Sequence, residues 1–233
     1  MAKMILPAWR RRLALHKVPN LNRQLATIAD KDEPEQSDFM SHFIRHNKTA
    51  QSESYEPVPF YSRHLIDQTG ENKFFGDTVR TATTVPRLLA MRRKGFQTPE
   101  SAPRPTHEAT SLKLATSPPE LLCLLSLGPG LASHPNIVHG GFQCVIFDEV
   151  IRLLILLHND NICTPGPRDT HFTVSMTTSY AAPVPASSDI LVRSWLTGRE
   201  GRKWWANAEI VNSEGQVSTT AEAMWVTAKN TIH

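Results

Sequence analysis

The chain has 233 residues, a formal net charge of +3 and 20% charged residues. That length buries one sizeable core and would also allow two small domains, while the near-balanced charge makes no general case for nucleic-acid binding. Cys123, Cys144 and Cys163 lack ligand spacing, so neither a disulfide framework nor a zinc or other metal centre is expected, and no apolar run reaches the ~20 residues that cross a bilayer.

Residues 1–29 carry Lys3, Arg10, Arg11, Arg12, Lys17 and Arg23 and no acid. Such a stretch reads either as a mitochondrial targeting segment or as a basic surface arm; Pro7, Pro19 and the absence of Ser weigh against the first. The expected location is intracellular, cytoplasmic or mitochondrial. Residues 30–72 are polar and read as an extended, poorly packed leader, with room for short helices near 20–29 and 36–46 that dock on the core. The domain division expected is therefore a leader over 1–72 and a folded domain over 73–233. Within the latter, Val85, Leu88, Leu89 and Met91 mark a first strand or a short helix. Pro99, Pro103, Pro105, Pro118 and Pro119 predict a loop over 97–119. Leu121–Leu127, stopped by Gly128-Pro129-Gly130, reads as a buried strand or a short apolar segment, with Cys144 further on as a core residue.

The stretch Asn136-Ile-Val-His-Gly-Gly-Phe-Gln-Cys-Val-Ile-Phe-Asp148 carries the most information. His139-Gly140-Gly141 opens a helix over about 140–158 that is apolar on every side except at Gln143, Asp148, Glu149 and Arg152. A helix of that kind must be buried all round, a demand met when a curved sheet wraps one central helix. Two glycines at its start leave backbone N–H groups bare beside the positive end of the helix dipole. Strand signals follow at 171–180, 189–197, 203–213 and 217–228, with short separators that predict consecutive antiparallel hairpins. One long helix and a meander make the fold class α+β.

The His-Gly-Gly turn, the hydrophobic helix with Asp148 nine residues after the His, and Phe172-Thr-Val-Ser-Met-Thr-Thr-Ser-Tyr180-Ala-Ala-Pro-Val-Pro185 together resemble the hotdog-fold acyl-CoA thioesterases. The likeness runs over roughly 83–228, takes in the Glu200-Gly-Arg-Lys203 turn and the last strand through Glu222 and Trp225, and is closest to the branch of the phenylacetic-acid-pathway and mitochondrial thioesterase-superfamily proteins. The resemblance implies a hotdog fold, an antiparallel sheet wrapped around one long helix. It also implies thioester hydrolysis to a free acid and CoA, with CoA as part of the substrate and no other cofactor.

Hydrolysis needs donors for the oxyanion and a base or nucleophile. The N–H groups around Gly140 and Gly141 suit the first role. Asp148 suits the second, by activating water or by direct attack. Seven residues of helix separate Gly141 from Asp148 by roughly 10 Å at ~1.5 Å per residue, beyond the reach of one short side chain. The glycines of one protomer must then meet the Asp of another, so a homodimer or dimer of dimers is expected.

Thr173 falls where the resembling family carries a hydroxyl residue that positions the water or the Asp. It also begins a row of hydroxyls with Ser175, Thr177 and Ser179 that suits a partly solvated strand. His139 either bonds the substrate carbonyl or holds the glycine turn; His134 and Asn136 orient that loop or simply form it. Arg152, four residues after Asp148, pairs with it, or reaches a CoA phosphate or a partner chain. Arg199, Arg202 and Lys203, beside Trp204 and Trp205, either hold CoA phosphates or form a solvated hairpin tip. An alternative to hydrolysis is a biosynthetic enzyme of the same fold that cyclises, dehydrates or isomerises its substrate, and a third reading is a non-catalytic acyl-binding protein.

Overall fold

The computed structural model describes residues 54–65, 70–162, 170–212 and 214–228. The basic stretch 1–29, the expected helices near 20–29 and 36–46, and Cys163 lie outside them. The described chain is a mixed α/β unit. Seven strands form one antiparallel sheet: β1 (Tyr55–Val58), β2 (Leu88–Arg93), β3 (Leu121–Leu127), β6 (His171–Tyr180), β7 (Ser188–Glu200), β8 (Lys203–Val211) and β9 (Val217–Thr227). A small hairpin of β4 (Ala132–His134) and β5 (Ile137–Val138) leads into the long helix, α2 (Gly140–Ile162); a shorter helix, α1 (His107–Thr116), precedes β3.

Helix α2 lies on one face of the sheet. Ile146, Phe147, Val150, Ile151, Leu154 and Ile155 are wholly buried, a stripe at helical spacing. The sheet meets it with Ala206 and Ala208 on β8 and Ala221 and Ala223 on β9, small side chains that let the helix settle close. Cover is not complete all round: Asp148, Glu149 and Arg152 are only half-buried. No helix among the described residues is long and apolar enough to cross a membrane.

Three expectations are corrected by the packing. The proline-rich loop contains α1, because Thr106 caps it by accepting from the Ala109 N–H at 3.2 Å and the run His107–Thr116 holds no proline. The 171–180 strand does not pair with its successor. The sheet order is β1-β2-β3-β7-β8-β9-β6, so β6 skips across to pair with β9 and ends as an edge strand. The link Ala181–Ser187 is short, but its Pro183-Val184-Pro185 stretch is held elsewhere: Val184 accepts from the Val138 N–H and Pro185 bridges to Ile137. Finally, residues 55–63, whose polarity placed them in the leader, are packed. Tyr55–Val58 pairs with β2, Phe60 and Tyr61 are buried, and the buried Arg63 donates to the Phe75 and Val85 carbonyls.

Candidate active site

The turn before α2 is fixed from three directions. The His139 N–H donates to the Leu131 carbonyl at 2.8 Å, the Val138 N–H to Val184 at 2.9 Å and the Ala186 N–H to Asn136 at 2.9 Å. Asn136 sits at φ 58°, a left-handed position that Asn tolerates, which makes it a turn residue. His134 is exposed on β4, opposite Ile137.

His139 then caps the helix. Its carbonyl accepts from the Phe142 N–H at 2.9 Å and the Gln143 N–H at 3.2 Å, and its ring Nδ1 accepts from the Gly141 N–H at 2.9 Å. The Gly141 donor expected to be bare is therefore engaged, while the Gly140 N–H has no acceptor among the described residues. Space, not dihedral freedom, explains the second glycine. A Cβ on Gly141 would stand 3.0 Å from His139 Cε1, tight enough to displace the ring.

Asp148 lies two turns further along α2, and Thr173 Oγ1 on the edge strand donates to its Oδ1 at 2.6 Å. A bulge in β6 sets this contact. Thr173 pairs with Trp225 and Ser175 with Met224, so Val174 has no opposite number and the alternation changes phase. Thr173, Met176, Thr178 and Tyr180 consequently share the helix-side face with Trp225, Ala223, Ala221 and Thr219. The expected hydroxyl row is broken: Ser175, Thr177 and Ser179 point to the other face, and only Thr173 reaches the helix.

The same face brings in two residues to which the sequence assigns no role in the site. Tyr180 donates from its hydroxyl to the Gly140 carbonyl at 3.0 Å, and that hydroxyl also lies 3.1 Å from Cys144 Sγ, which is 3.5 Å from Thr178 Oγ1. Cys144 is thus a half-buried member of this cluster and not a core residue. Its hydrogen bond, followed by burial, pushes the Tyr180 hydroxyl up to about 12, which keeps the phenol protonated. The signal in the sequence was Tyr180 itself; the phase change that turns it toward the helix was not readable.

Arg152 does not pair with Asp148. Its guanidinium meets Glu71 at 3.1 Å, Asn72 at 3.2 Å and Glu149 at 3.9 Å, and lies over the Tyr61 ring at 5.2 Å, because Tyr61, Glu71 and Asn72 pack against that side of the helix. Glu149 beside it also accepts from the Ser62 hydroxyl. Burial pushes the Glu149 carboxyl up; the Ser62 hydrogen bond and the Arg152 charge oppose this, and Asp148 adds to it.

The β7–β8 tip lies at the Thr173 end of the sheet, since Trp204, Trp225 and Thr173 stand in one register row across β8, β9 and β6. Arg199 donates to the Pro99 carbonyl at 3.3 Å and stacks 4.7 Å over Trp204, and Arg202 donates to the Thr227 carbonyl at 2.7 Å. Both therefore brace the backbone, and Lys203 is exposed. Trp204 is buried and its Nε1 donates to Thr227 Oγ1 at 2.8 Å, which marks it as core. Among the described residues no three His, Cys, Asp or Glu side chains gather as metal ligands would.

No family model matches the chain. An uncharacterized protein of Schizosaccharomyces pombe is 31% identical over 85 residues, which is 36% of this chain and 45% of that relative, so the match spans less than half of the curated protein. Among solved structures, a thioesterase superfamily protein superposes with a TM-score of 0.40 at 22% identity, covering 46% of this chain and 50% of its own. A hypothetical protein of Staphylococcus aureus in complex with CoA gives 0.39 at 16% identity, covering 46% and 68%. A hypothetical thioesterase of Streptococcus pneumoniae with coenzyme A gives 0.41 at 11% identity, covering 46% and 77%.

Proposed function

We propose that this chain is a thioesterase that hydrolyses an acyl-CoA to a free acid and CoA, working as a homodimer whose two sites each draw on both protomers. The observation that supports this most is the half-buried Asp148, held by Thr173 at 2.6 Å beside an edge strand, on the same helix whose first N–H has no acceptor among the described residues. Asp148 takes a proton from water as the oxygen attacks the thioester carbon, or attacks that carbon itself to give an anhydride that water then opens. The oxyanion is received by the Gly140 N–H of the other protomer, and the thiolate of CoA leaves as the C–S bond breaks. Lys203 on the exposed tip is the cation of the Arg199–Arg202–Lys203 group free to meet a CoA phosphate.

The edge position of β6 suits the pairing. Phe172 and Val174 are exposed by 45% and 52%, and one side of the strand has no sheet partner among the described residues. Antiparallel pairing of two β6 strands about a two-fold axis runs the two α2 helices in opposite directions, so that the Asp148 of one approaches the Gly140 of the other. One observation favours a second reading. With the Gly141 N–H taken by His139, the site has one fewer oxyanion donor than an acyl-transfer site commonly offers, and Asp148 would then serve as acid or base in a non-hydrolytic step.

Thiol release from a panel of short, long and aromatic acyl-CoAs separates the two. Hydrolysis by the wild type, lost in Asp148→Asn with the dimer intact, supports the thioesterase. Mixed dimers of Gly140→Val and Asp148→Asn protomers should recover part of the activity. Confirmed heterodimers without recovery would remove the shared site, and turnover of no acyl-CoA would remove hydrolysis.

A further inference from the structure

Two adjacent glycines make a weak start for a helix, since each costs roughly 0.5–1 kcal/mol relative to Ala and helix ends are where fraying begins. The turn at Gly140 and Gly141 is nevertheless gripped. The Gly140 carbonyl and the Gly141 N–H belong to one planar peptide group. Tyr180 donates to its oxygen at 3.0 Å, and His139 Nδ1 accepts from its N–H at 2.9 Å. The preceding peptide carries the Gly140 N–H, and its carbonyl, that of His139, accepts from the Phe142 and Gln143 N–H groups. With both flanking peptides held, the direction of the Gly140 N–H is set. Of these grips only Tyr180 comes from another element; His139 belongs to the turn itself and moves with it. Tyr180 is anchored in its turn. It stands opposite Thr219 on β9, and the Ala181 and Ala182 N–H groups both donate to the Ser218 carbonyl, at 2.8 and 3.0 Å. Its ring packs on Gly140, where an added Cβ would stand 3.4 Å from the ring Cε1, Cζ and hydroxyl.

We infer that Tyr180 is a positioning residue for the oxyanion donor: its hydroxyl holds the Gly140–Gly141 peptide so that the Gly140 N–H stays aimed at the thioester oxygen. The role rests on the thioesterase reading above. A donor stabilises an oxyanion best when it is oriented before the charge develops. The hydrogen bond of Cys144, and then burial, hold the Tyr180 hydroxyl up to about 12, so the donor persists across neutral pH. The β6 bulge lets one strand serve both halves of the chemistry. Thr173 and Tyr180 are seven positions apart, an odd spacing that puts side chains on opposite faces of a regular strand. The unpaired Val174 brings both to the helix side, where Thr173 donates to Asp148 and Tyr180 to Gly140. Antiparallel pairing of two β6 strands sets the Thr173 end of one beside the Tyr180 end of the other. Each shared site then takes an oriented Asp148 from one protomer and an oriented Gly140 N–H from its partner.

The test compares full-length Tyr180→Phe, which keeps the ring and removes the donor, with wild type on an acyl-CoA that wild type hydrolyses. Losing a whole oxyanion donor typically costs about 100-fold or more, so loosening one should lower kcat by roughly 10-fold or more with KM within about 3-fold. Mixed dimers locate the effect. Paired with Asp148→Asn protomers, Tyr180→Phe protomers form one site with every wild-type group and should recover activity. Paired with Gly140→Val protomers they should not, because both changes fall on the same half of a site. A spectroscopic measurement reads the grip itself. His139–Gly140 is the only His-Gly pair in the chain and Gly140–Gly141 the only Gly-Gly pair, so carbonyl-13C His or Gly combined with 15N Gly gives each amide as a single resonance. In Tyr180→Phe the Gly141 amide should shift and exchange with water several-fold faster, with an unchanged far-ultraviolet spectrum. Four results would overturn the role and leave the thioesterase reading standing: equal kcat in the variant, a change confined to KM, an unmoved Gly141 amide, or failure to recover with Asp148→Asn when Gly140→Val does recover with it. Turnover of no acyl-CoA by wild type would remove that reading, and the role with it.

Discussion

Thr173 Oγ1 donates to Asp148 Oδ1 at 2.6 Å, joining an edge strand to the middle of the buried helix through the only hydroxyl that the β6 bulge leaves on the helix side of that end. A hydrogen bond donated to one carboxyl oxygen fixes the plane of the group and leaves the other oxygen for water or substrate. Thr173→Val keeps the β-branched shape and removes the donor, and should lower kcat for thiol release by roughly 10-fold or more with a small change in Tm. Thr173→Ser should keep most of the activity. Asp148→Asn should lose on the order of 10²–10⁴-fold, the usual worth of a positioned acid or base. A Thr173→Val protein as active as wild type would make the contact merely structural.

His139 is a cap by geometry, because its ring Nδ1 takes the Gly141 N–H at 2.9 Å. A capping side chain is worth about 1 kcal/mol to the helix it starts. His139→Ala should therefore lower the unfolding free energy by roughly that amount, read by urea titration, and His139→Asn should restore part of it. Removing the ring also frees a second donor for the oxyanion, so kcat should stay near or above wild type. A fall of ~100-fold or more in kcat with the fold intact would assign the ring to the substrate instead.

Much of this arrangement is legible in the sequence. Leu121–Leu127, Gly140–Ile162 and the four later strands announce themselves by apolar periodicity and by Gly, Pro and Asn punctuation, and the bounds agree to within a few residues. What is not legible depends on contacts distant in the chain. The pairing of β6 with β9 instead of β7 comes from Val138 and Ile137 capturing the Val184–Pro185 stretch, two short segments with no pattern of their own. The Val174 bulge reverses which side chains of β6 face inward, and β-branched and hydroxyl residues read the same in either phase. Helical spacing offers Asp148 as one partner for Arg152, beside a CoA phosphate or a partner chain, but Glu71 and Asn72 from a segment distant in sequence hold it. The strand that β1 adds is not legible because Tyr55-Glu-Pro-Val58 is too short and too proline-bearing to register as a strand.

Glu149 sits beside Asp148 on α2, and burial raises its carboxyl above the ordinary value, against the pull of the Ser62 hydrogen bond and Arg152. A carboxyl whose folded pKa is raised supports the fold while protonated, and that support is lost as pH rises through the folded value. Glu149→Gln retains a side-chain oxygen to accept from Ser62 and removes the buried charge. Its Tm should match or exceed that of wild type at pH 7–8, with the advantage shrinking toward pH 4. Melting curves across that range check it. A variant that is less stable at pH 8 and equal at pH 4 would reverse the sign and show that the charge is used.

Glu120 behaves in the opposite sense. It directly precedes β3 with its side chain buried, accepting from the Leu196 N–H at 2.7 Å and facing His158 Nε2 at 3.0 Å, with Lys113 at 3.6 Å and Arg93 at 3.8 Å. His158 in turn is fully buried on α2, and its Nδ1 lies 2.9 Å from Thr98 Oγ1. Burial alone would raise the Glu120 carboxyl, but the hydrogen bond and charge of His158, then Lys113 and the Leu196 N–H, outweigh it and bring the value below the ordinary one. A carboxyl held low in the fold contributes stability above its unfolded value of about 4.3, and that contribution disappears as pH falls through the lower folded value. Because the group ties the far end of α2 to β3 and β7, removing one partner of the buried pair should be costly. Glu120→Gln should lose about 3 kcal/mol at pH 7, and the gap to wild type should close progressively below about pH 4. Paired urea titrations at pH 7, 5, 4 and 3 measure both. A gap that stays constant down to pH 3 would show that the charge on Glu120 contributes nothing and that only its shape matters.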